Sequence, residues 1–99
     1  MVHMYQDQKS DLRPVERVQT GVRIETRLLK VMKGLAEYHD MSLGDLIEGV
    51  VLHAFEGKCA FGSDSLKLVA ELKKIYNLDL DSSASHKMVE RKPHARRRS

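Results

Sequence analysis

Cysteine clusters, long apolar runs and grouped histidines are all missing from this chain. One cysteine, Cys59, stands among 99 residues. It excludes an intrachain disulfide framework and any multi-cysteine zinc site, and it fits a reducing, cytoplasmic setting. No apolar run approaches the roughly 18 residues a membrane span requires, so no membrane partner is expected. The opening MVHMYQDQKSDLRP lacks the apolar centre of a signal peptide. His3, His39, His53, His86 and His94 are scattered, with no pair at i, i+3 or i+4, whereas a metal site needs clustered ligands. His53 and Cys59 come closest, with Gly57 breaking the helix between them. Neither a metal nor another cofactor is expected. Nothing resembles a nucleophile–base pair, a glycine-rich phosphate loop or a catalytic carboxylate dyad, so the chain does not read as an enzyme.

Net charge is also small: 17 Lys and Arg against 14 Asp and Glu give +3, so distribution matters more than the sum. Arg17, Arg23, Arg27, Lys30 and Lys33 crowd the stretch from Arg17 to Gly34, opposed there by Glu25 alone. From Glu37 to Glu56 the acids Glu37, Asp40, Asp45, Glu48 and Glu56 stand without a Lys or Arg. Arg91-Lys92 and Arg96-Arg97-Arg98 close the chain. One cationic face is implied, of the kind that phosphate backbones attract through counterion release. A merely soluble surface fits the charges alone equally well.

Periodicity divides the chain. Residues 1–16 are polar, without period, and read as a flexible arm. Over 18–25, Val18, Thr20, Val22 and Ile24 alternate with Gln19, Gly21, Arg23 and Glu25. That period of two is the signature of a half-buried strand. A helical stripe follows from near Thr26: Leu28, Leu29, Val31, Met32, Leu35 and Ala36, with Arg27, Lys30, Lys33 and Glu37 outward. Asp40 suits a left-handed terminator. Ser42-Leu43-Gly44-Asp45 opens a second helix in the manner of a capping box, and its stripe is Leu43, Leu46, Ile47, Val50, Val51, Ala54 and Phe55 before Gly57. Gly49 suggests a close approach of two helices, while Gly34 and Gly44 have no evident role. A third helix, over 65–77, is capped by Ser63 or Asp64 and presents Leu66, Val69, Leu72, Ile75 and Tyr76. The division is a 1–16 arm, a 17–57 core unit, a 58–80 helical extension and an 81–99 disordered basic tail.

About forty residues, 18–56, resemble the ribbon-helix-helix family of DNA-binding proteins, of the Arc and MetJ repressor type. The parts are the strand VQTGVRI, the helix run LLKVMKGLAEYHD, the turn and cap MSLGD and the apolar helix LIEGVVLHAF. The resemblance implies a mainly α fold. Two chains would intertwine as a homodimer around a two-stranded antiparallel β-ribbon, with an extra C-terminal helix in this protein. Elementary packing agrees about the dimer, because neither the strand nor the helix pair has enough surface of its own chain to lie against. The family reads bases in the major groove with three outward strand side chains, matching Gln19, Gly21 and Arg23. Arginine suits guanine and glutamine suits adenine. Gly21 departs from the pattern, offering no side chain: it lets the ribbon sit deep or lowers discrimination. The family also anchors phosphate at the start of its second helix, matching Ser42, Leu43 and Gly44. Arg17, Lys30 and Lys33 complete the expected phosphate contacts.

The expected function is a dimeric, sequence-specific DNA-binding repressor. Two alternatives stand beside it. One is an antitoxin whose residues 59–99 grip a toxin. The other is a dimeric interaction module that recruits a protein through residues 59–80 and ignores DNA.

Overall fold

The computed structural model describes residues 12–91. The expectations that fall on residues 1–11 and 92–99, among them His3, His94 and Arg96 to Arg98, lie outside the described residues. The described residues form three helices of 13 residues each: α1, Thr26–Tyr38; α2, Leu43–Phe55; and α3, Ser63–Ile75. A single 3₁₀ turn follows at Ser82–Ala84. The mainly α class stands.

Each helix begins and ends for a local reason. Glu25 caps α1: its carboxylate accepts the Leu28 N–H at 2.8 Å and receives Arg27 Nε at 2.9 Å. The Leu28 hydrogen bond, followed by the arginine, holds the Glu25 carboxyl below its ordinary value. A carboxyl whose native pKa is depressed stabilises the fold fully above its unfolded value, about 4.3, and that contribution vanishes as pH falls through the native value. Glu25→Ala is therefore expected to cost about 1 kcal/mol at neutral pH. Urea titrations should show the cost shrinking below about pH 4.

Ser42 caps α2, its Oγ accepting the Asp45 N–H at 3.1 Å. The reciprocal half of the expected box is replaced: Asp45 turns its carboxylate to Arg17, 3.3 Å away. Neither Ser63 nor Asp64 caps α3, which starts from extended Gly62 without a side-chain cap. All three C-termini close alike. A residue with positive φ, Asp40 (55°), Gly57 (70°) or Asn77 (55°), lets the next N–H reach back over the last turn. The bonds run from Met41 to Ala36 at 3.0 Å, from Lys58 to His53 at 2.9 Å and from Leu78 to Lys73 at 2.8 Å. This is the Schellman closure. Asp40 and Gly57 end their helices as the sequence suggested.

The central helix is α1. Both α2 and α3 pack on it, and they do not pack on one another. Val31, Leu35 and Ala36 of α1, Leu46 of α2 and Leu78 beyond α3 are buried, ringed by half-buried Leu28, Met32, Leu43, Phe61, Leu68, Val69, Leu72, Tyr76 and Leu80. Close approach falls at Gly34, not at Gly49. A Cβ at Gly34 would stand 3.0 Å from a Leu72 methyl of α3, whereas at Gly49 nothing lies within 4 Å. The inward face of α3 is also rotated from expectation. Leu68 joins Val69, Leu72 and Tyr76, while Leu66 and Ile75 are exposed.

The expected two-stranded β-ribbon is overturned. Residues 12–25 precede α1 with no strand, and there is no sheet among the described residues. Val18 and Val22, assigned to a buried face, are 86% and 73% exposed, as are Gln19, Gly21 and Arg23 on the other face. The alternation shows where side chains of an extended backbone point. It does not supply a second edge, and the described residues offer none against which 18–24 form a ladder. The segment is an extended arm. The first part of the expected disordered tail, 81–91, instead follows a defined path. Asp81 accepts the Ser83 N–H at 3.0 Å to set the 3₁₀ turn, and Glu90 reaches Arg23.

Candidate nucleic-acid interface

The arm meets the helices through its arginines. Arg17 grips Glu48 of α2 with two bonds, Nε to Oε2 at 2.8 Å and Nη2 to Oε1 at 2.7 Å, and also reaches Asp45 at 3.3 Å. Glu48 and Asp45 are three residues apart and so share a face of the first two turns of α2. This docking sets the arm beside the N-terminus of α2, where Ser42, Leu43 and Gly44 lie. There the N–H groups of Leu43 and Gly44 stand at the first two helical positions, which have no intrahelical acceptor. The positive end of the helix dipole adds to their pull on an anion. Asp45 works against it, as a fixed negative charge in the same turn.

Arg23 is held at the other end of the molecule's sequence. Its Nε donates to Glu90 Oε1 at 3.0 Å, and its Nη2 contacts Glu90 Oε2. The hydrogen bond with Arg17 keeps the Glu48 carboxyl below its ordinary range, and that with Arg23 does the same for Glu90. Arg27 is structural rather than an outer-face charge. It bonds Glu25, the Asn77 carbonyl at 2.9 Å and Asp79 at 3.0 Å, tying the start of α1 to the end of α3.

Among the sequence-predicted contacts, Gln19 and Gly21 are exposed on the arm between the two anchored arginines. Lys30 and Lys33 lie outward on α1, and neither forms an ion pair among the described residues. Lys30 Nζ sits over the Tyr76 ring, 5.8 Å from its centre, within cation–π range. The structure thus brings Arg17 beside Ser42 to Gly44, places Arg23 against the C-terminal segment and leaves the two lysines on α1. Sequence reasoning missed Glu48 and Glu90 as partners of the arm. Only opposite charge hinted at them, and charge does not say which of many acids is met.

His39, His53 and Cys59 each make a side-chain bond within the fold. His53 Nδ1 pairs with the Gly49 carbonyl at 2.7 Å, His39 Nε2 with Ser65 Oγ at 3.0 Å, and the Cys59 thiol points to the Phe61 carbonyl at 3.5 Å. No three potential metal ligands gather among the described residues.

An apolar groove of about 440 Å³ runs between α2 and α3, floored by Leu28, Val31, Met32 and Leu35 of α1. The α2 wall carries Ile47, Val50 and Val51, and beyond it Leu52 and Phe55 are 63% and 79% exposed. Only Leu46 of the thirteen α2 residues is buried. No helix among the described residues is long and apolar enough to cross a membrane. No protein-family model matches the chain, and the comparisons with curated proteins and with solved structures found no similar protein.

Proposed function

We propose that this protein is a homodimer that binds double-stranded DNA and regulates transcription by occupying it. The observation that carries the DNA reading is the arm: residues 12–23 are exposed throughout, carry Arg13, Arg17 and Arg23, and send no side chain into the core. Extended basic arms suit DNA because an arginine fork matches both a phosphate and the O6/N7 edge of guanine. Gln19 and Arg23 are the base-reading candidates. Arg17, Lys30, Lys33 and the N–H groups at Leu43 and Gly44 are the phosphate candidates. The dimer rests on the apolar surface of α2, where Leu52 and Phe55 stand largely exposed as a contiguous apolar surface that suits a protein partner.

Selection of bound oligonucleotides from a random pool tests both parts, since a palindromic consensus requires symmetry and readout together. On that consensus, Arg23→Ala is expected to lose about 1–3 kcal/mol, roughly 5- to 150-fold in affinity, and to relax one base position. Lys33→Ala should weaken all sequences alike and flatten the slope of log affinity against log salt by about one. Fluorescence anisotropy at several salt concentrations reads both. Salt-independent behaviour, with both variants unchanged, rejects the DNA reading.

A second reading is favoured by the ion pairs of Arg17 and Arg23 themselves. Guanidiniums already satisfied by Glu48 and Glu90 suit a dimeric protein-interaction module in which the arm is a structural strap. The same titrations decide between the two.

A further inference from the structure

Resting on the DNA reading, we propose that the C-terminal segment is a built-in competitor of DNA, with Glu90 occupying Arg23 until a nucleic acid displaces it. The segment is firmly seated at its start, and beyond Lys87 its described polar contacts to the rest of the chain are those of Glu90. Leu78 is buried and Leu80 half-buried against the core, and Arg27 clamps the Asn77 carbonyl and the Asp79 carboxylate. Asp81 fixes the turn at Ser82–Ala84, and the Lys87 N–H reaches back to the Ala84 carbonyl at 3.0 Å. Past that point Met88 is half exposed at the edge of the apolar groove, and Val89 is 91% exposed. Among the described residues, the only hydrogen bonds of 88–91 to the rest of the chain are those of Glu90 to Arg23.

The chemistry of the contact makes it exclusive. A carboxylate offers the arginine fork two parallel acceptors. A phosphate or the major-groove edge of guanine offers the same pair. Arg23 cannot hold Glu90 and DNA at once, so measured affinity falls by the fraction of molecules with Arg23 free. Both partners are largely exposed, and ion pairs of this kind are weak. DNA with many phosphates therefore wins, at a modest and tunable cost. Arg17 is restrained by Glu48 in the same way, but there the acid is fixed on α2. Glu90 instead belongs to a segment outside the helices, and among the described residues its pairing with Arg23 is the only hydrogen bonding of 88–91 to the rest of the chain.

The test uses the full chain and a duplex carrying the selected consensus. Glu90→Gln is expected to bind up to about fivefold tighter than the parent protein. Glu71→Gln on exposed α3 changes net charge equally and should gain much less. In an Arg23→Ala background, Glu90→Gln should gain no more than Glu71→Gln does. Without DNA, Glu90→Gln should also speed tryptic cleavage after Lys87 and Arg91 several-fold, as Arg23→Ala should. DNA binding with equal affinities for the parent, Glu90→Gln and Glu71→Gln overturns the competition and leaves the DNA reading standing. A Glu90→Gln gain that survives in Arg23→Ala overturns it as well. Failure of every variant to bind DNA overturns the functional reading and the competition together.

Discussion

Replacing Leu52 and Phe55 by Asp together is expected to convert the proposed dimer to a monomer at micromolar concentration and to lower its thermal midpoint. The argument is one of surface. Within a single chain both side chains are already mostly in water, and substitutions at such positions ordinarily change stability by less than about 0.5 kcal/mol. A lone subunit would therefore tolerate the pair of aspartates well. In a dimer the same residues are desolvated, and each large apolar side chain removed from water contributes about 1.5–3 kcal/mol. Four such residues would meet in the proposed symmetric interface. Four buried carboxylates would cost more than the lost contacts, because an unpaired charge is not carried into an apolar interface. The groove between α2 and α3, floored by α1, gives the partner's α2 a place to lie. Sedimentation velocity of parent and variant decides the matter. Two species of identical sedimentation and identical midpoint would show that α2 meets nothing.

How much of this was legible in the sequence depends on the range of the interaction concerned. The helices were legible because a stripe such as Val31, Leu35 and Ala36 recurs with the helix period and is then buried. Their ends were legible where the chemistry is local: Asp40 and Gly57 take the positive φ that a Schellman closure demands. Glu25 was misread. Alternation gave it a place at the end of a strand, yet its carboxylate is spent on the Leu28 N–H one turn later. The ribbon failed for a different reason. Val18, Val22 and Ile24 alternate correctly, but alternation fixes a direction for side chains and is silent about a hydrogen-bonding neighbour. Contacts across the sequence left no trace beyond opposite charge. Arg23 and Glu90 lie 67 positions apart, and nothing in either neighbourhood marks one for the other. Gly34 against Leu72 is the packing counterpart: of the glycines within helices, the sequence singled out Gly49, and the close approach fell at Gly34. The candidate interface shares this division. Its residue types were legible as basic side chains and a helix start, but the segment that carries Arg17 and Arg23 was read as a strand, and the acids that restrain it emerged only with the fold.

Leu35→Ala is expected to be the most damaging substitution of a single side chain in the core, costing about 2–5 kcal/mol. Leu35 is 2% exposed, the least of the five buried residues, and lies in the helix that both neighbours pack upon. Truncation removes transfer energy and leaves a void bounded by helix backbone, which relaxes little. Small domains have total stabilities of only about 5–15 kcal/mol, and for chains of this size each kcal/mol moves the midpoint by about 4–8 °C. The variant should thus melt roughly 10–30 °C lower, or populate its unfolded form at room temperature. Ile75→Ala is the control. Ile75 is on α3 but 65% exposed, and its loss should stay near 0.5 kcal/mol. Circular dichroism melts of the two variants separate burial from composition, since both delete a four-carbon side chain down to a methyl. Equal midpoints would mean that α1 is not the helix around which this chain folds. DNA affinity measured well below the variant's midpoint should remain close to the parent's, because the arm meets α2 through Arg17 and Glu48 on the outer face. Core and reading surface are thereby separable: the first sets how much protein is folded, and the second sets what the folded protein holds.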